Sequence, residues 1–280
     1  MPFLELVDET LDINSSENYI LSIEVSVTGL TFCVLDTLRN KYILIRHYEP
    51  EEGRDFTYDH LSDILVSDDY FRKRYRKVNI VVPSHKFTLV PAPLFEPSKA
   101  VEYFDFNHTR DENTIILSNR VTLPDAFIIF SLPGELSSML GSSFPDTPVN
   151  IHLRPLLRHI AYGNRNPGGR SIHVHLESSF FNLAIFDQGL LKICNSFTYK
   201  NTSDILYHVM NVFRQTGIDQ NETLFFSGNI EKNADLVPEF SSYVRGIKFA
   251  VPEGNFTFSY VFSESVLHRF LNLFTIVSCE

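Results

Sequence analysis

Residues 170–199 read RSIHVHLESSFFNLAIFDQGLLKICNSFTY, and they decide the fold. The pattern is an apolar strand, a tight turn, a second apolar strand, the hairpin turn Asp187-Gln188-Gly189 and a third strand. Residues 22–48, SIEVSVTGLTFCVLDTLRNKYILIRHY, echo this meander without a gap. Ile23 aligns with Val174, Val25 with Leu176, Phe32 with Leu183, Val34 with Ile185, Asp36 with Asp187, Lys41 with Lys192 and Tyr48 with Tyr199. The first turn falls at Val27-Thr28-Gly29 in one copy and at Ser178-Ser179-Phe180 in the other. Two apolar meanders can resemble one another by chance, but a gapless match through three strands favours duplication. Two copies in 280 residues point to paired halves, since a solenoid needs more repeats at shorter spacing.

The chain carries 44% apolar and 21% charged residues, a globular composition with room for substantial cores. Its net charge of −10 argues against a nucleic-acid-binding surface as the main function. Cys33, Cys194 and Cys279 form no CxxC pair, so neither a disulfide framework nor a zinc knuckle is indicated. The start, MPFLELVDETLDIN, is acidic and lacks the basic and apolar regions of a signal peptide. No apolar run is long enough to cross a bilayer. The expectation is a cytoplasmic protein, in which the triplets at Asn107, Asn221 and Asn255 are not glycosylation sites.

Residues 1–18 read as a polar arm or a first short strand, and residues 49–58 as a charged loop containing Gly53. A helix is expected over 56–66 from Phe56, Leu61, Ile64 and Leu65. The basic run RKRYRK at 72–77 reads as a solvated face. A buried strand follows at 78–82. Residues 84–97, bounded by Pro83 and Pro97 with Pro91 and Pro93 inside, read as extended loop. Expected next are a helix at 97–106, a hairpin around Pro124-Asp125, a helix at 133–140 stopped by Gly141, and a helix at 152–162. The Gly/Asn/Pro-rich residues 162–171 mark the boundary between a first unit, 1–165, and a second, 166–280. Beyond the second meander come a helix at 203–216 capped by Thr202 or Ser203 and stopped by Gly217, a strand at 223–226, another near 246–251, and a last helix at 264–274. That last helix has the option of packing back on the first unit.

His173, His175 and Glu177 alternate along one strand and so share a face. This is a candidate metal trio, the basis of a metal-dependent hydrolase reading. The plainer reading is a polar strand face lining a cleft. No HExxH, GxSxG, Walker A or GxGxxG motif occurs.

Meander, helix, strand, loop and helix in two successive halves resembles the actin-like ATPase superfamily of actin, 70-kDa heat-shock chaperones and sugar kinases. The chain looks in particular like an uncharacterised bacterial family with that fold. The resemblance implies an α/β protein of duplicated, ribonuclease H-like halves. Each half holds a mixed sheet that begins with the antiparallel meander and carries flanking helices. It also implies an ATP cleft between the halves, with Asp-x-Gly turns around magnesium and phosphate. Here the first turn reads Glu24-Val25-Ser26-Val27-Thr28-Gly29, and the second His175-Leu176-Glu177-Ser178-Ser179-Phe180-Phe181. The adenosine strand corresponds to 224–229, with Ser227 and Gly228 at its end. The candidate nucleotide residues are therefore Glu24, Ser26, Thr28, Gly29, Ser227 and Gly228. Glu177 puts negative charge where phosphate would sit, and Phe181 replaces a hydroxyl. The resulting expectation is a non-catalytic scaffold or adaptor, a pseudo-ATPase without a cofactor, that binds a protein partner and neither membrane nor nucleic acid. Its candidate contacts are the 84–97 loop and residues 95–106. The alternatives are a nucleotide-binding protein that takes ATP with magnesium and hydrolyses it weakly or not at all, and the metal-dependent hydrolase.

Overall fold

In the computed structural model, residues 2–50, 56–163, 169–230 and 235–279 are described. The expected loop glycine Gly53 and the 165/166 boundary lie outside them. The first strands are β1 (Leu4–Val7), β2 (Tyr19–Ser26), β3 (Gly29–Asp36) and β4 (Lys41–Tyr48). Every residue of β3 is buried, because Leu30, Phe32 and Val34 fill one face of the sheet while Thr31, Cys33 and Leu35 fill the other. A strand covered on both faces carries no polar alternation, which is why this stretch reads as a continuous apolar run.

Helix α1 (Tyr58–Ser67) begins at the cap Thr57 and leads to β5 (Lys77–Val82). Next come β6 (Phe87–Pro91), α2 (Ala100–Asn107), β7 (Thr114–Thr122), β8 (Asp125–Pro133) and α3 (Gly134–Ser143). Strand β9 (Val149–Ile151) and helix α4 (Leu153–Gly163) complete this part. The second meander is β10 (Arg170–Leu176), β11 (Phe180–Asp187) and β12 (Leu190–Thr198). It is followed by α5 (Thr202–Thr216), β13 (Thr223–Gly228), α6 (Leu236–Phe240), β14 (Gly246–Phe249) and β15 (Thr257–Phe258). The last helices are α7 (Glu264–Arg269) and α8 (Leu271–Thr275).

One strand order is built twice. The first sheet runs β1-β4-β3-β2-β5-β9 and the second β12-β11-β10-β13-β14. In each, an antiparallel meander presents its first strand to two parallel strands, β5 and β9 or β13 and β14. The register slips between Val34 and Leu35 in one meander and between Ile185 and Phe186 in the other, which are aligned positions. The third sheet, β6-β8-β7, is inserted between β5 and β9.

The first core joins the first sheet to α1, α3, α4 and the inserted sheet, and the second lies between the second sheet and α5 and α6. The other face of the first sheet is covered by the end of the chain. There Cys33, Leu35, Tyr42 and Ile45 pack against Phe262, Phe270 and Phe274. Tyr42 donates its hydroxyl hydrogen to the Phe274 carbonyl, and β15 adds to β4 beside Lys41 and Tyr42. Each large side chain buried in that seam contributes about 1.5–3 kcal/mol.

Several local expectations are corrected. The 84–97 segment is not all loop: 87–91 pair with β8 as an outer strand, and Pro91 comes last, where a missing donor is tolerated. Helix α3 runs through Gly141, where even an added Cβ would meet open space. The cap of α5 is Asn201, whose Oδ1 accepts from the Asp204 amide at 3.1 Å. The final helix is interrupted at Phe270, which has non-helical angles of φ −104° and ψ 31°.

Candidate functional site

The two meanders bring their polar positions to one cleft. In the first sheet, Glu24 sits across from Thr31, and Thr31 across from His47. Thr31 Oγ1 and His47 Nδ1 are 2.7 Å apart, and His47 Nε2 lies 2.8 Å from Glu49 Oε1. In the second sheet, His175 sits across from both Asn182 and Ser227. Its Nδ1 is 2.8 Å from Ser227 Oγ, and its Nε2 is 3.2 Å from Glu177 Oε1. Each half thus holds a hydroxyl, an imidazole and a glutamate in series. By the sequence alignment, Glu24 corresponds to His175 and Thr31 to Asn182.

The end of the chain closes the gap. Arg269 donates to Glu49 Oε1 at 2.8 Å and lies 3.2 Å from His47 Nε2. Three residues on, Asn272 places its amide 2.8 Å from His175 Nε2. The break at Phe270 falls between these two, so one side chain serves each half. The cleft that remains is lined by Glu24, Glu49, Glu177, His47, His175 and Arg269, and it encloses about 40 Å³.

The electrostatics follow from that lining. Burial pushes the Glu24 carboxyl up to about 8, and Glu177 adds to the rise while Arg269 opposes it. His152, at the start of α4, shares its Nε2 with Asn182 Oδ1 at 2.7 Å, and its ring centroid lies 5.9 Å from that of His175. Burial lowers His152 to about 4, against the pull of Glu177.

Glu24, Ser26, Thr28 and Gly228 line the cleft. The hydroxyls of Ser26 and Thr28 turn to each other at 3.0 Å, and the Thr28 amide donates to Ser26 Oγ at 3.2 Å, so this turn satisfies itself. Both glycines are required by neighbouring strands. A Cβ at Gly29 would fall 2.1 Å from the Tyr48 carbonyl oxygen, and one at Gly228 2.1 Å from that of Leu176. Ser227 is buried against His175. The metal trio is not assembled: His173 stacks on Phe225 with centroids 4.9 Å apart, away from the glutamate that His175 meets. Among the described residues, no three His, Cys, Asp or Glu side chains are placed to share a metal ion.

Small-molecule sites enclose about 300–1,000 Å³, far more than this cleft, and its lining carries three glutamates and one guanidinium. Sequence reasoning passed over His47, Glu49, Asn182, Arg269 and Asn272. The available signal was a lone polar residue inside an otherwise apolar strand, Thr31 in LTFCVL and Asn182 in FFNLAIF, because a buried polar group needs a partner.

Among solved structures, the chain is similar to a Bacteroides thetaiotaomicron protein described as having an actin-like ATPase fold and unknown function. The two are 23% identical over 86% of this chain and 94% of the other, with a TM-score of 0.78. A PilM-PilN type IV pilus biogenesis complex matches at 10% identity, 93% and 98% coverage and a TM-score of 0.60. The ethanolamine utilization protein EutJ from Carboxydothermus hydrogenoformans matches at 9% identity, 98% and 93% coverage and a TM-score of 0.51. A search of curated proteins finds no match. The fold is actin-like, as the repeated strand order implied. Residues 8–247 match the model described as Protein of unknown function (DUF3822), and the chain belongs to that family.

Proposed function

We propose that the protein is a non-catalytic actin-like scaffold that binds a protein partner. The observation that carries this reading is the cleft of about 40 Å³, lined by Glu24, Glu49 and Glu177 with Arg269 held on Glu49. The PilM-PilN structure, a complex named for pilus biogenesis, supports it as an instance of this fold in an assembly. No helix among the described residues is long and apolar enough to cross a membrane. The candidate contact surface remains the 84–97 segment with α2, where Leu94 is 66% and Phe106 86% exposed.

Thermal unfolding with and without millimolar magnesium-ATP tests the reading. A ligand that binds the native state raises the midpoint by mass action, and the expected result is no shift. A shift lost in Glu24→Ala would put the nucleotide-binding alternative first. Stoichiometric metal in the purified protein would do the same for the hydrolase alternative.

A further inference from the structure

The two meanders differ at their outer edges. In the first sheet the third strand, β4, is covered twice: β1 pairs antiparallel with Leu44–His47, and β15 pairs in parallel beside Lys41 and Tyr42. In the second sheet the third strand, β12, comes last in the strand order, and among the described residues no strand pairs with its outer side. That side is nine residues long, or roughly 30 Å of extended chain. Strand amides alternate between the two neighbours. Tyr199 donates its amide to the Ser179 carbonyl at 3.1 Å, on the β11 side, so the amides of Ser196 and Cys194 point to the open side. An unpaired edge of that length is a template for an added strand.

The first sheet shows what such a strand looks like on this fold. The middle strands align β4 with β12: Phe32 sits across from Arg46 as Leu183 does from Asn195, and Val34 across from Leu44 as Ile185 does from Ile193. The residues that β1 covers, Leu44–His47, therefore correspond to Ile193–Ser196. Just beyond them, the Asp8 amide donates to the Ile43 carbonyl at 2.8 Å, and Ile43 corresponds to Lys192. The strand on β4 is acidic where β4 is basic: Glu5 pairs with Arg46, and Asp8 with Lys41 at 2.6 Å. β12 repeats the basic sign. It carries Lys192, Lys200 follows it, and residues 188–203 hold no carboxylate, in a chain whose net charge is −10. A strand laid on β12 as β1 lies on β4 brings the Asp8 position opposite Lys192, a favourable cross-strand pair.

We propose that the outer edge of β12 takes up an extended segment of a partner protein as an added antiparallel strand, with four residues opposite Ile193–Ser196 and an aspartate or glutamate next, opposite Lys192. Such a contact rests on the reading of the protein as a partner-binding scaffold, and it gives that partner a shape and a charge. Backbone hydrogen bonds hold the segment, and the acidic residue fixes its register.

The probe is a fluorescein-labelled peptide of residues 3–10, FLELVDET, which contains the strand added to the first sheet. Fluorescence anisotropy with the full chain is expected to give saturable binding. Ser196→Pro removes an outward amide and leaves the β11 ladder intact, and is expected to weaken binding about ten-fold or more. Lys192→Glu is expected to weaken it about two- to five-fold, and a peptide carrying Asp8→Lys should gain affinity for that variant while losing it for the parent. Melting temperatures show whether the variants fold, and if Ser196→Pro does not, the charge exchange decides. No saturable binding, or binding unchanged in the folded variants, would overturn the proposal. So would self-association in sedimentation that Ser196→Pro abolishes, since a second copy would then hold the edge. The magnesium-ATP melt is independent of this edge: a peptide that fails to bind, with no shift by ATP, would remove β12 and leave the scaffold reading standing.

Discussion

Glu24 makes the cleft's electrostatics measurable. In an unfolded chain its carboxyl titrates near 4.5, and in the native state near about 8. Between those values the native state holds a proton that the unfolded state has lost, so this residue's contribution to stability falls as pH rises through the window. Glu24→Gln removes the effect. The variant is expected to match the parent near pH 4 and to exceed its stability by roughly 1–3 kcal/mol at pH 8. Urea melts at pH 4, 6 and 8 give the comparison, and a difference that did not vary with pH would rule out the charge explanation. The position was legible in the sequence because it occupies a fixed place in a repeated meander. Arg269, its counter-charge, was not: it is 220 residues from its partner Glu49, on a six-residue helix whose spacing carries no sign of where it docks.

At the scale of elements, Gly228 and Gly141 respond to an added Cβ in opposite ways. Gly228 has φ +83° and lies against the β10 backbone, so Gly228→Ala combines a disfavoured conformation with a backbone clash. A loss of more than about 2 kcal/mol is expected. Gly141 sits inside α3 with free space around it, and Gly141→Ala is expected to stabilise by roughly 0.5–1 kcal/mol. Paired thermal melts of the two variants against the parent check both signs. The meanders announced themselves because period-2 patterning, turn chemistry and the repeat all agreed. Strand β9 gave no such signal, since its three residues pair in parallel with a strand about 70 positions earlier. Strand β6 was masked by the prolines around it, and only the long-range pairing with β8 makes it a strand.

For the whole molecule, pH acts in a second direction through buried imidazoles in both parts of the fold. Burial lowers His152 and His159 to about 4 and His173 to about 3, from an ordinary value near 6.5. Below pH 6.5 the unfolded chain takes up protons that these native rings refuse, so their contribution is lost as pH falls toward 4. Below pH 6.5 the three imidazoles outweigh the opposing effect of Glu24, and above it Glu24 acts without them, so stability is expected to peak near pH 6.5. His173→Phe, a ring still able to stack on Phe225, should make the acid-side slope shallower in urea melts. An unchanged slope would show that His173 does not contribute. The seam between the first sheet and the end of the chain makes a separate prediction. A chain ended at residue 250 loses the cover over Cys33, Tyr42 and Ile45, and is expected to be recovered from expression mainly in the insoluble fraction.

That seam also fixes an order of events during synthesis. The hydroxyl of Tyr42 and the carbonyl it reaches on Phe274 are 232 residues apart. At about 5–20 residues per second, roughly 10–50 s pass on the ribosome between the making of the one and of the other. For that interval the nascent first sheet has one oily face with nothing from its own chain to cover it. That face is where a cotranslational chaperone would be expected to hold.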